Sequence, residues 1–316
     1  MSTVHGDGTT AAGNGIRCVR LTKRFSDVVA VDDLSFDAPM GAVTGFVGAN
    51  GAGKTTTMRM LLGLVQPTSG EALIDGRWLR DIPNPRLTVG TVLDSPGAHP
   101  GHTARAYLGI LARASGVPQR RIAEVLDMVG LGDSAQRRVG AFSLGMKQRL
   151  SLAAGLLGDP RIIMLDEPTK GLDPPGMLWL RGLLRDLAAE GRCVFLSSHH
   201  LAELDAIADH VVVLHKGRLI AKGGLSELMS RRGRAVVVRS AHNGVLEQLV
   251  RGRGGSSSVD PNGGLRVVGL TAPEVGELAL AGGVAVHHLS EERAELEDIF
   301  LELTASAEDK ALERVR

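Results

Sequence analysis

A chain of 316 residues, 43% hydrophobic and 22% charged, is long enough for one large domain and one small one, each with its own core. A formal net charge of +1 and an aromatic share of 3% argue against nucleic acid as a partner, because they provide neither a cationic surface nor stacking platforms. The only two cysteines, Cys18 and Cys193, lie far apart without metal-ligand spacing and read as reduced thiols; no run reaches the roughly eighteen apolar residues of a membrane-spanning helix.

Residues 1–15 lack the apolar stretch of a secretory signal and read as a disordered Gly/Thr-rich tail, so a cytoplasmic protein is expected. Residues 17–25 and 31–36, parted by Ser26-Asp27, alternate in polarity and predict antiparallel strands. The apolar run 42–47 then leads into Gly48-Ala49-Asn50-Gly51-Ala52-Gly53-Lys54-Thr55, which fits G-x-x-x-x-G-K-[ST]. Glycines at these positions let successive backbone N–H groups curl around a triphosphate, while the lysine reaches its outer phosphates and the hydroxyl reaches Mg²⁺. A helix predicted over 56–64 completes the strand–loop–helix context. Pro67-Thr68-Ser69-Gly70 turns the chain into a strand over 71–74, closed by Asp75-Gly76, which makes a β-rich flap beside the phosphate loop.

From 103 to 157 the apolar spacing becomes helical, with helices predicted over 104–114, 122–129 and 146–157. Strand 162–165, helix 175–190, strand 193–197, helix 201–208 and strand 210–215 follow, an alternation that implies a parallel sheet with crossover helices. The strand at 162–165 runs on into Asp166-Glu167-Pro168, and two carboxylates at a strand end can hold Mg²⁺ and position an attacking water. Together with the glycine-rich loop they indicate nucleotide hydrolysis.

Past Gly223 the pattern restarts, with strands expected over 235–239, 265–270 and 284–289, helices over 245–250, 273–280 and 292–304, and a flexible low-complexity loop over 252–264. His287 and His288, adjacent on a strand, point to opposite faces, which argues against joint metal ligation. Leu296, Ile299, Phe300 and Leu303 form one stripe of the last helix, either core or partner surface. The expected organisation is a tail (1–15), a nucleotide-binding domain (16–230) and a small α/β accessory domain (231–316) that carries no catalytic motif.

Over most of its first 230 positions the chain resembles the ATP-binding-cassette ATPases. Beyond the phosphate loop and the acidic strand, five local matches occur in order: Thr22-Lys23-Arg24-Phe25 (aromatic loop), Asp94-Ser95-Pro96 (Gln loop), Phe142-Ser143-Leu144-Gly145-Met146-Lys147-Gln148-Arg149 (signature), Lys170-Gly171-Leu172-Asp173 (D-loop) and Ser197-Ser198-His199 (switch-histidine loop). The resemblance implies an α/β P-loop NTPase core with an antiparallel β subdomain and a helical subdomain. It implies ATP held by the 48–55 loop and Thr56, with Phe25 stacked on adenine. Mg²⁺ would be held directly by Thr55, through water by Asp166, and by Asp94. Glu167 would be the general base, and His199 would contact the γ-phosphate. Phe25 as core packing, Asp173 as a turn residue, and His199, with its neighbour His200, as a structural histidine are the plainer readings.

Ser143 and Gly145 would reach the γ-phosphate held by a second ATPase subunit, so a homodimer is expected, with a separate transmembrane permease docked near Asp94 and the helical insert. That places the protein at the inner face of the cell membrane. Two positions depart from the family pattern: Leu144 and Met146 stand where Gly and Gln are common, a signature like that of bacitracin- and daunorubicin-type drug exporters, and Asp94 stands in place of Gln. The implied activity is ATP hydrolysis driving export of a drug, an antibiotic or a lipid-like compound. The rival readings are a soluble cassette ATPase acting on ribosomes or DNA, and a drug-sequestering immunity protein that transports nothing.

Overall fold

The structure, a computed structural model, describes residues 14–93, 97–199, 201–231, 235–260 and 263–292. The expectations placed on residues 1–13, on Asp94-Ser95-Pro96, on His200 and on the helical stripe Leu296–Leu303 lie outside these. Two compact units divide between Gly223 and Gly224.

The first unit opens with β1 (Ile16–Phe25) and β2 (Val28–Ala38), paired antiparallel with Phe25 opposite Val28. After β3 (Val43–Val47) and α1 (Lys54–Leu61), β4 (Ser69–Ile74) pairs on the far side of β1, so the flap is a three-stranded antiparallel sheet of order β2-β1-β4. Next come the short α2 (Pro85–Thr88) and β5 (Val89–Val92). The helical insert follows as α3 (Ala104–Ser115), α4 (Arg120–Met128) and α5 (Leu144–Leu156). The alternating half is β6 (Ile162–Asp166), α6 (Pro174–Ala189), β7 (Cys193–Ser198), α7 (Leu201–Asp205), β8 (His210–His215) and β9 (Arg218–Gly224).

These strands form a six-stranded sheet of order β5-β6-β7-β3-β8-β9, with β3 parallel to both β7 and β8. Every residue of β3 is buried, as expected of a strand covered on both faces, whose sequence shows no alternation. Phe36 of β2, Phe46 of β3 and Phe195 of β7 pack with ring centroids 5.1–5.7 Å apart, locking the flap onto the central sheet. Each such aromatic pair adds about 0.5–1.5 kcal/mol beyond its buried area. β5 and β9 were not predicted: β5 is four residues with a glycine, and β9 carries no fully buried residue, so neither has an apolar rhythm of its own.

The second unit holds α8 (Leu225–Arg231), β10 (Ala235–Ser240), α9 (Asn243–Gly252), β11 (Ser256–Val259), β12 (Leu265–Val268), α10 (Ala272–Ala281) and β13 (Val286–Glu292). From β10 onward this is a β-α-β-β-α-β chain with sheet order β11-β12-β10-β13 and antiparallel neighbours throughout, the ferredoxin-like arrangement. Val236, Val238, Leu246, Val250, Val267 and Val275 form its core. The expectation of a flexible loop over 252–264 is corrected here, because β11 lies inside it. Ser256-Ser257-Ser258 has no apolar rhythm and is an edge strand held by pairing with β12.

Candidate active site

β3 delivers the chain to Gly48, where a Cβ would stand 2.7 Å from the Leu214 carbonyl oxygen and 2.9 Å from the Ala52 Cβ. At Gly53 the backbone turns left-handed, φ 103°, and a Cβ would lie 2.6 Å from the Ala30 carbonyl oxygen. No other residue type fits either position without displacing backbone. α1 then starts at Lys54, without a side-chain cap and without an acidic residue in its first turn, so the amides of Lys54, Thr55 and Thr56 present a positive helix end. Ala49, Asn50 and Gly51 form the exposed crest of the loop, and Ala52 is buried beneath it.

Lys54 is 6% exposed, and its Nζ donates to the carbonyl oxygens of Gly48 at 2.5 Å and Ala49 at 3.3 Å. Burial pushes its pKa below the ordinary lysine value, while the carboxylates of Glu167 and Asp166 pull the other way. The cation is thus held inside the loop, close to the acidic strand end.

Thr55 Oγ1 donates to Asp166 Oδ2 at 3.0 Å, which joins two motifs separated by 111 residues. Ser197, fully buried at the end of β7, donates its hydroxyl to Asp166 Oδ1 and accepts from the Glu167 amide at 3.2 Å. Both oxygens of Asp166 are therefore oriented. A hydroxyl and a carboxylate brought together are the hard oxygen donors that suit Mg²⁺, so the residues present fit that ion.

Glu167 has φ 47°, a left-handed conformation that costs a non-glycine residue about 1–2 kcal/mol. Its amide is pinned to both the carbonyl oxygen and the hydroxyl of Ser197, and its own carbonyl oxygen accepts from the Lys170 amide at 3.2 Å. This backbone turn brings Glu167 Oε1 to 2.8 Å from His199 Nδ1, with 30% of the Glu167 side chain and 36% of the His199 side chain exposed. The pair opens into a cleft of about 480 Å³, lined also by Thr169, Lys170, Gly171 and Glu203.

The structure thus brings together Lys54, Thr55, Asp166, Glu167 and His199. Ser143 and Gly145 lie elsewhere: Ser143 caps α5 by accepting from the Met146 amide, and a Cβ on Gly145 would stand 3.2 Å from the Gly171 carbonyl oxygen. Phe25 is 48% exposed, with Lys23 Nζ 4.8 Å from its ring centroid, so it is not core packing. Asp173 is the N-cap of α6, its Oδ1 accepting from the Gly176 amide at 3.0 Å.

Three contributors were not read from the sequence. Ser197 and Gln148 stand within motifs that give them no role of their own, yet Ser197 bridges both acidic residues. Gln148 Nε2 donates to the Pro168 carbonyl oxygen at 3.0 Å, and Glu203 Oε2 accepts from Thr169 Oγ1 at 2.8 Å. Helical spacing places Gln148 one turn beyond Leu144 on α5, while Glu203 lies in the short α7, which starts only at Leu201, and carries no such signal.

Comparison with known proteins matches residues 31–170 to the ABC transporter family and residues 234–297 to a domain of unknown function, DUF8746. Over 304 residues, 91% of this chain and 96% of the relative, it is 36% identical to the bacitracin transport ATP-binding protein BcrA of Bacillus licheniformis. It is 35% identical over 206 residues to the lantibiotic transport ATP-binding protein SrtF of Streptococcus pyogenes, covering 65% of this chain and 89% of that one. A solved ATP-binding subunit of an ABC transporter superposes with a TM-score of 0.63 at 29% identity, covering 68% of this chain and 92% of that one.

Proposed function

The chain belongs to the ABC transporter ATP-binding proteins, and from that premise we propose that it powers export of a peptide antibiotic or a similar drug or lipid-like compound through a separate membrane subunit. It is an ATPase of that family. Among the described residues no helix is long and apolar enough to cross a membrane, so the translocation path is assigned to the partner and this chain to the inner membrane face. The match to a bacitracin transport protein along nearly the whole chain favours transport over the ribosome and DNA readings.

In this reading the amides at the start of α1 and the Lys54 cation neutralise the outer phosphates of ATP. Phe25, exposed beside Lys23, stacks on adenine. Thr55 and Asp166 would hold Mg²⁺, which supplies charge neutralisation on the phosphates. Glu167 orients the attacking water and takes its proton, and His199, hydrogen-bonded to Glu167, is placed to stabilise charge on the γ-phosphate oxygens. Ser143 and Gly145 of a second copy complete the site. ATP then favours the closed pair by its differential affinity for that state, and hydrolysis releases it. The permease is assigned to a cavity of about 260 Å³ lined by β5 and the helical insert, including Tyr107, Leu111 and Gly155. Residues 231–316 are assigned an accessory role.

The observation that carries this reading is the junction of Thr55 with Asp166 and of Glu167 with His199. Its test is a pair of variants. Glu167→Gln keeps the shape of the site and removes the base, so kcat falls by about 10²–10⁴ while ATP binding persists. Lys54→Ala loses ATP affinity by at least about tenfold, the scale of one charge-assisted contact of about 1.5–3 kcal/mol. Normal turnover by the first variant, or an unchanged ATP titration by the second, contradicts the assignment.

A further inference from the structure

Leu144 is the first residue of α5 and is 55% exposed as a residue, yet its side chain lies hard against one point of the chain. A Cβ added to Gly171 would stand 2.4 Å from Leu144 Cγ and 2.5 Å from its Cδ2. Gly171 has φ +80°, so glycine is required there both by backbone conformation and by the leucine above it. One helical turn further along the same face of α5, Gln148 Nε2 donates to the Pro168 carbonyl oxygen at 3.0 Å. The two contacts grip the start and the end of the segment 168–171, which directly follows Glu167.

Glu167 occupies a left-handed backbone conformation, and such a conformation persists only where its surroundings over-determine it. Upstream the hold is supplied by Ser197. We propose that Leu144 and Gln148 supply the downstream hold: they are positioning residues for hydrolysis, a two-point clasp by which α5 fixes segment 168–171 and, through it, the Glu167 carboxylate. The inference rests on the reading of Glu167 as the base and deepens it. It also gives the leucine at this signature position a task that a glycine there cannot perform. Because Ser143 caps α5 and Gly145 lies in its first turn, both assigned to the partner copy's nucleotide, a shift of that helix end on nucleotide binding is carried into the same chain's own Glu167.

The test is steady-state ATP hydrolysis by the full chain. Leu144→Ala and Gln148→Ala each lower kcat by about ten- to a hundredfold, the scale of a displaced catalytic group. KM for ATP stays within about twofold, because the interaction matters only when the water attacks. Leu144→Met, which keeps the volume, retains near-normal kcat. In a Glu167→Gln background neither alanine substitution lowers the residual rate further, as expected of groups that act through Glu167. If both alanine variants keep wild-type kcat, or raise KM with kcat unchanged, or lower the residual rate of the Glu167→Gln chain by the same factor, the clasp is overturned while the role of Glu167 stands. If Glu167→Gln itself turns over normally, the hydrolysis reading falls and the clasp falls with it.

Discussion

Gly51 and Gly53 occupy the same loop and both have positive φ, +79° and +103°, but their surroundings differ. A Cβ at Gly51 meets nothing within 4 Å, whereas one at Gly53 meets the Ala30 carbonyl oxygen at 2.6 Å and Val31 Cγ2 at 3.3 Å. Gly51→Ala therefore carries only the left-handed backbone cost, about 1–2 kcal/mol. Gly53→Ala carries that cost plus displacement of β2 backbone, an overpacking penalty of about 1–3 kcal/mol, for a total of about 2–5 kcal/mol. At about 2–4 °C per kcal/mol for a unit of this size, the expected falls in Tm are about 2–8 °C and about 4–20 °C. Both tryptophans, Trp78 and Trp179, precede the Gly223 divide, so tryptophan fluorescence reports unfolding of the first unit alone. ATP affinity does not discriminate, because both substitutions alter the phosphate loop. Equal losses of stability in the two variants would refute the argument that Ala30 forbids a side chain at position 53.

Phe25→Ala weakens ATP binding by about five- to 150-fold, the effect of losing one base–aromatic stack. Its stability changes by no more than about 0.5 kcal/mol, since the ring is half exposed; an unaltered Kd for ATP would remove Phe25 from the adenine site. Ser197→Ala strips the hydroxyl that orients Asp166 and helps pin Glu167, so urea denaturation should show a loss of about 1–3 kcal/mol, with a reduced kcat. Wild-type values for both would mean that the Ser197 carbonyl oxygen alone holds the turn.

The elements legible in the sequence were those whose pattern is local. The buried run of β3, the glycines that follow it and the amphipathic helices α3 and α4 of the insert each state their own conformation within a few residues. β5 and β11 could not be read in the same way, because four-residue strands with Gly90 or three serines owe their conformation to pairing with β6 and β12. The phosphate loop and the acidic strand end were legible because their chemistry is written in adjacent residues. Ser197, Gln148 and Glu203 act across the fold, and helical or strand spacing alone does not reveal which surface they meet.

That division has a physical consequence for the site. The residues readable from local sequence are those assigned to touch nucleotide, and the unread ones fix the backbone on which Glu167 sits. Glu167 is held from three directions: by Ser197 of β7 at its own amide, by Gln148 of α5 at the next carbonyl oxygen, and by Glu203 of α7 at Thr169 two residues on. α5 begins at the signature serine and α7 follows the switch histidine. A backbone cost of about 1–2 kcal/mol is small against the sum of these holds but comparable to any one of them. Loss of one hold therefore leaves the remaining ones only about equal to that cost, which loosens Glu167 beside His199. In the proposed reading, the base is oriented only while both γ-phosphate-facing segments stand in place, so the rate of hydrolysis follows the closure of the pair.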